Sequence, residues 1–424
     1  MEEKKEEEQI VIGLTGSIGS GCTEIAREFL EKKNDFEYIS LSTIIKEEVE
    51  KQFKEEGKER KPNVLDYQNY GNDLRKYGLD AVAKKTFENK SELRECYKKL
   101  VIDSIRNCGE IYYLRDNFPN FYLLGVYADE NIRWKRLEEK YEGSSYLFKQ
   151  AEKRDKGEVW EYGQQVSACM ELADIIIINN DDIHKYQNLK TEFFEKLEEF
   201  YLNLIKLPGI REPFEMEVYM NNAYTASLES RCVKRQVGAT IVDTEKKIII
   251  SKGHNRIPDK LLLSCFDKFK NCYRDIKRKD LLEEFKKCSA CGETHFEISG
   301  KCKNENCNYE STEQLKSKIK MLELCRALHA EEDAILKALK LNFNNFENTI
   351  LYTTTYPCLM CAKKIISVGI KNIVFVEPYP VEMAKEILEE AKVKVTIFEG
   401  VKSQAFYKLF KIERDFIEKY NKKK

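Results

Sequence analysis

The sequence predicts an α/β protein of two consecutive domains. Three features carry that expectation. Apolar strand-like runs alternate with helical stretches in both halves of the chain, a glycine-rich turn joins the first strand to the first helix, and Leu207-Pro208-Gly209 interrupts the pattern near the middle. The 424 residues suffice for two or three domains of roughly 150 each.

Residues 1–8 form a charged run with no apolar stretch behind it, so they read as a disordered, solvated tail and not as a signal peptide. A buried strand over 9–14 leads through the glycine turn into an amphipathic helix starting near Glu24. Strands at 38–41, 100–102, 121–126 and 175–178 follow, separated by helical stretches, and a long helix over about 184–205 closes a first domain of 9–206. The second domain, 207–424, opens with a helix over 214–230 and strands at 238–242 and 247–251. A charged, cysteine-rich insertion occupies about 262–320. The pattern resumes with helices after His329 and Cys358 and strands at 350–353, 372–376 and 393–397. The tail 403–424 reads as one amphipathic helix. Its apolar stripe of Phe406, Leu409, Phe410, Ile412 and Phe416 offers a face for homo-oligomer assembly.

Composition excludes several classes. Lys and Arg total 72 against 73 Asp and Glu, a net charge of −1, which lacks the basic footprint of a protein that grips long nucleic acid. No apolar run approaches the roughly 18–20 residues of a membrane span. A cytoplasmic protein is expected. Of 14 cysteines, six fall in pairs at metal-ligand spacing, and the others read as small core hydrophobes.

The sharpest chemical signal is His329-Ala330-Glu331, with Pro357-Cys358-Leu359-Met360-Cys361 beginning 28 positions after the histidine. Cysteines at i and i+3 in a helix's first turn face one side, where the helix N-terminus favours thiolates. One imidazole and two thiolates give zinc three ligands and leave the fourth position to water, the pattern of a catalytic site. Glu331 is no ligand in this scheme. It is placed to move protons between water, ring nitrogen and leaving amine, in a motif shared by zinc-dependent nucleobase deaminases.

The segments 325–336 (CRALHAEEDAIL) and 352–376 (YTTTYPCLMCAKKIISVGIKNIVFV) resemble the deoxycytidylate deaminase branch of those enzymes. So do Ser230-Arg231-Cys232, Arg235-Gln236-Val237-Gly238-Ala239 and Gly253-His254-Asn255, the last with His where the family has Tyr. The resemblance covers about 213–261 and 322–400. It implies a cytidine-deaminase-like α/β/α sandwich, a deoxycytidine nucleotide substrate (dCMP or dCTP), a sugar contact from Asn255, and further substrate contacts from Arg235 and Ala330.

Within the insertion, Cys288-x-x-Cys291 and Cys302-x4-Cys307 carry the spacing of a four-thiolate structural zinc. The segment has little apolar content, so metal would supply its folding energy. Cys272, with Arg274 nearby, reads either as core packing or as the lip of the pocket.

In the first domain, Gly16-Ser17-Ile18-Gly19-Ser20-Gly21-Cys22-Thr23 matches a P-loop in its glycines and Thr23, with Cys22 in the lysine position. Its amides retain an anion-binding geometry, whereas the cation that accompanies a transferring phosphoryl group is missing. Gly71-Asn72-x-Leu74-Arg75, Asp103-x-Ile105-Arg106-Asn107 and Ala173-Asp174-Ile175-Ile176 resemble nucleotide-kinase segments. That likeness makes Arg75, Arg106 and Arg154 candidate phosphate contacts and the domain a site for a bound nucleotide effector. A degenerate kinase-like domain fused to such a deaminase is similar to bacterial anti-phage deoxycytidine nucleotide deaminases, which deplete dCTP. The competing readings are a housekeeping dCMP deaminase feeding dTMP synthesis, a nucleotide kinase, which the missing lysine opposes, and a polynucleotide editor, which the neutral charge opposes.

Overall fold

The computed structural model describes residues 9–58, 60–88, 97–157, 160–181, 187–261, 263–285, 325–376, 382–413 and 415–423. Two compact units emerge. Described residues within Met1–Asn221, Phe375–Pro380 and Ile397–Lys424 form the first, and those within Asn222–Val374 and Val381–Thr396 the second.

The first unit is built on β1 (Ile10–Thr15), β2 (Glu37–Ser40), β3 (Lys99–Asp103), β4 (Phe121–Tyr127) and β5 (Ile175–Ile178). These strands pair in parallel in the order β5-β4-β1-β3-β2. Their sequences, IVIGLT, FYLLGVY and IIII among them, are apolar almost throughout because a parallel sheet is covered on both faces. Ile12, Leu14, Val126 and Ile177 pack with Ile25, Phe29, Phe194 and Leu204 in one core.

The first unit contains chain that the linear domain boundary assigned to the second. Leu207 is buried, and the Gly209 amide donates to the Leu409 carbonyl at 2.8 Å. Arg211 clasps the fully buried Glu217 at 2.8 and 2.9 Å, and Glu217 also accepts the Val401 amide at 2.8 Å. The proline-glycine signal therefore marks a tight turn held to the first core. The division between units falls later, inside the helix Glu215–Ser227. An eleventh strand in chain order (Gly400–Val401), absent from the sequence reading, adds antiparallel to β5. The expected single tail helix is two, Ser403–Phe410 and Phe416–Lys423, because Lys411 turns to extended backbone. Leu409 is fully buried in the first core while Ile412 is 65% exposed, so the tail stripe is spent partly inside its own unit.

The second unit carries β6 (Gly238–Asp243), β7 (Ile248–His254), β8 (Thr349–Thr353), β9 (Asn372–Phe375) and β10 (Lys394–Ile397), ordered β10-β9-β8-β6-β7. β6 is antiparallel to both neighbours. The insertion begins with two helices, Cys265–Phe269 and Tyr273–Phe285. Cys288, Cys291, Cys302 and Cys307 lie outside the described residues. Among the described residues no helix is long and apolar enough to cross a membrane.

A buried ion pair anchors the first unit. Arg75, 3% exposed, reaches one oxygen of the fully buried Glu110 at 2.7 and 2.9 Å; the other oxygen accepts the Arg106 and Asn107 amides. Removing one partner strands a buried charge, which costs about 3–5 kcal/mol. Glu110→Ala should lower unfolding free energy by about that amount in urea titrations. A loss under ~1 kcal/mol, the value of a surface pair, would contradict this role.

Candidate active site

His329 is the N-cap of the helix Ala330–Lys340, in extended backbone, with its amide directed at the Glu332 carboxylate at 3.4 Å. Cys358 is the N-cap of the helix Leu359–Val368, and Cys361 lies in that helix's first turn. Chain order separates them, yet both cysteine sulfurs stand 3.3 Å from His329 Nδ1. The buried Glu331 carboxylate is 3.6 Å from the Cys361 sulfur. Lys364 pairs with Glu332 at 2.5 Å and ties the two helices together.

The sheet fixes this geometry. The Leu328 amide donates to the Arg256 carbonyl at 2.8 Å, which pins the residue before His329. Asp333, one turn into the helix and fully buried, accepts from Arg256 Nε at 2.7 Å, the His254 amide at 3.2 Å and Lys337 at 2.9 Å. Ser251 Oγ donates to the Ala334 carbonyl at 2.8 Å. β7 and the helix come so close that a Cβ at Gly253 would sit 2.2 Å from the Ala330 oxygen.

The electrostatics follow from this crowding. The hydrogen bond from Cys361, which outweighs the opposing effect of burial and is helped by one from His329, holds the Cys358 thiol far below its ordinary range. Cys361 is pushed the opposite way by that same bond and by burial, so the pair retains one proton between them. Its bond to Cys358 raises the His329 ring. Burial pushes Glu331 up to about 6, between a committed carboxylate and a committed acid.

Zinc with bonds of about 2.3 Å to sulfur and about 2.0 Å to nitrogen in tetrahedral geometry sets sulfur and nitrogen about 3.5 Å apart. The 3.3 Å separations, with one sulfur already ionised, fit that ion. Among the described residues, His329, Cys358 and Cys361 are the group that could hold a metal.

Other expected contacts fall nearby in the second unit. Asn255 Oδ1 accepts the Val237 amide and its Nδ2 donates to the Arg235 carbonyl, both at 2.8 Å, so this side chain orders the loop before β6. Arg235 is exposed and Ala330 fully buried. Sequence reasoning missed Asp333, Gly253 and the Lys364–Glu332 tie. A carboxylate four residues after the histidine, on the same helix face, was the available signal for Asp333. Burial holds the Cys325 thiol high, with Cys232 and Cys265 close enough to raise it further, so these three cysteines gather in one neighbourhood.

In the first unit, the glycine loop borders a cavity of about 770 Å³. Gly19 and Gly21 take left-handed φ of 84° and 102°. Thr23 Oγ1 and Tyr38 OH donate to Asp103 at 2.8 and 3.1 Å. Burial, then Asp103, push the Cys22 thiol up to about 12, so it is neutral. The arginines proposed as phosphate contacts are already engaged: Arg75 with Glu110, Arg106 with Asp155, and Arg154 with Asn69 Oδ1 at 3.0 Å.

Residues 214–377 match the family described as cytidine and deoxycytidylate deaminase zinc-binding region. The chain is similar to the deoxycytidylate deaminase of Enterobacteria phage T4, 30% identical over 160 residues, which are 37% of this chain and 75% of that protein. It is also 30% identical to the deoxycytidylate deaminase of Schizosaccharomyces pombe over 204 residues, 48% of this chain and 47% of that one. The chain thus spans about half the length of the yeast relatives it matches. A UPF0200 protein of Thermococcus onnurineus is 28% identical over 192 residues, 44% of this chain and 98% of that protein.

Gly253→Ala tests whether the tight strand–helix contact sets the site. The added carbon meets backbone at 2.2 and 2.3 Å, so the helix bearing His329 must move. Destabilisation of about 1–3 kcal/mol is expected from such overpacking, with bound zinc falling below the wild-type stoichiometry. Wild-type stability and full metal content in the variant would show that the contact is slack.

Proposed function

Because the chain belongs to the deoxycytidylate deaminase family, we propose that its second unit hydrolyses a deoxycytidine nucleotide, dCMP or dCTP, to the deoxyuridine nucleotide and ammonia. The observation that carries this reading is the buried Glu331 carboxylate, 3.6 Å from the sulfur of Cys361 and beside the His329–Cys358–Cys361 cluster. Zinc held by those three residues would supply a water of lowered pKa as nucleophile. With that water in place, the Glu331 carboxylate, pushed up to about 6, would hold the proton the water gives up, pass it to N3 of the base, and carry the second proton to the amino group leaving C4. Water is consumed and ammonia released, with no redox change. Asn255 orders the loop that carries Arg235, the residue assigned in this reading to the nucleotide's phosphate. The fusion to a glycine-loop unit supports a role in anti-phage defence through dCTP depletion, and assembly as a homo-oligomer is part of the same proposal.

A second reading concerns the first unit. The 770 Å³ cavity bordered by the glycine loop supports binding of a nucleotide effector there. Without a lysine at Cys22, phosphoryl transfer is not expected.

Glu331→Ala should lower turnover of dCMP or dCTP by at least ~10²-fold, the low end for losing a general acid–base, while zinc content stays near wild type. Near-normal turnover would end this mechanism. Metal analysis should give about two zinc ions per chain, one of them lost in Cys302→Ser. A single zinc in both proteins would remove the four-thiolate site.

A further inference from the structure

The glycine loop of the first unit already holds an anion supplied by the protein. The Ile18 amide donates to Asp155 Oδ2 at 2.9 Å. Asp155 belongs to the helix Ser145–Lys156 and is fully buried. Its other oxygen accepts from the Arg106 guanidinium. A carboxylate bridging a loop amide and an arginine makes the two contacts that a pair of phosphate oxygens would make. The neighbouring charges reinforce this. Cys22 brings none, and Arg75 is committed to Glu110. Asp155 links the Ile18 amide to the Arg106 guanidinium and pairs with that charge.

The helix that brings this carboxylate is attached by a small satellite cluster and not by the main core. Tyr141, Phe148 and Ala151 pack together, with Ile18 of the loop itself against them. Arg133 joins the same seam, reaching the Ile18 carbonyl at 3.2 Å and Glu152 of the helix at 2.5 Å. A segment held by few buried apolar contacts opens at lower free energy than the core.

We propose that Asp155 is a resident anion in a phosphate seat, and that a nucleotide's outermost phosphate binds the first unit by displacing the Asp155 carboxylate from the Ile18 amide and Arg106. The ligand class is a nucleoside polyphosphate, and the inference rests on the effector reading of the cavity. Competition lowers apparent affinity by the fraction of molecules whose seat is vacant. Asp155 therefore sets the concentration at which the cavity fills, and binding requires the helix Ser145–Lys156 to give way.

The test uses the full chain, with magnesium tripolyphosphate and magnesium ATP as probes in calorimetry. Asp155→Asn keeps the shape and removes the charge. It should bind both probes at least tenfold more tightly than wild type, provided it still melts cooperatively. Hydrogen exchange on the wild-type chain supplies the measurement that needs no variant: saturating tripolyphosphate should speed amide exchange in 145–156. Equal or weaker binding by a folded Asp155→Asn protein overturns the proposal and leaves the effector reading standing. So does unchanged or slowed exchange in that helix at saturation. Absence of binding by both proteins at millimolar probe overturns both readings, and neither result touches the deaminase assignment.

Discussion

The candidate active site depends on one close approach, that of β7 to the helix Ala330–Lys340. Gly253 leaves no side chain between them, and Asp333 fills the seam with a buried carboxylate that meets the His254 amide, Arg256 and Lys337. A buried carboxylate is costly unless its oxygens are satisfied by charge or hydrogen bonds, so a slip of the helix by one residue would strand it. That penalty fixes the helix in register along the strand. His329 caps the helix and Glu331 lies in its first turn, so both inherit the register. Cys358 and Cys361 come from the loop and helix after β8, which pairs with β6 in the same sheet.

The first unit solves its charge problem differently. Two of the cations that line its cavity have their own buried carboxylates: Glu110 for Arg75 and Asp155 for Arg106. Buried pairs of this kind add little net stability over apolar packing, but breaking one is expensive. They neutralise these two guanidiniums, while Arg27, Lys46, Arg136 and Lys140 also line the cavity. A nucleotide kinase needs uncommitted cations where the phosphoryl group moves. Position 22 carries no lysine, and Arg75 and Arg106 are internally paired, so none of these three positions supplies one.

Much of this was legible in the sequence, and the failures have physical causes. Every expected strand formed, since runs such as IVIGLT and IIII satisfy the demand of a two-sided parallel sheet wherever they are placed. The gathering of His329, Cys358 and Cys361 was readable because holding a metal requires fixed residue types at fixed helical spacing. What escaped was long-range partnership. Leu207-Pro208-Gly209 reads locally as a linker, and only the contact with Leu409, distant in sequence, makes it part of a core. The tail looked like one amphipathic helix because Leu409 and Ile412 share a face in projection, yet one is buried and the other open. Arg75 and Arg106 looked like phosphate ligands because their carboxylate partners lie 35 and 49 positions away.

Cysteine behaves in opposite ways at the two sites, and the contrast explains why one loop suits a metal and the other does not. Cys358 and Cys361 both sit at a helix start, share a proton and face an imidazole, so ionising one of them is favoured by its immediate partners. Cys22 also follows a glycine turn at a helix start, but among the described residues no second thiol or imidazole contributes to its charge. Its near neighbours are the Ser20 hydroxyl at 3.5 Å and the negative field of Asp103, and burial raises it to about 12. Position on a helix is therefore not enough to make a thiolate. Desolvation outweighs the helix terminus unless a partner shares the charge. At neutral pH Cys22 is an uncharged small side chain in a loop shaped for anions, and the selectivity of that loop falls to its backbone amides and to the carboxylate of Asp155.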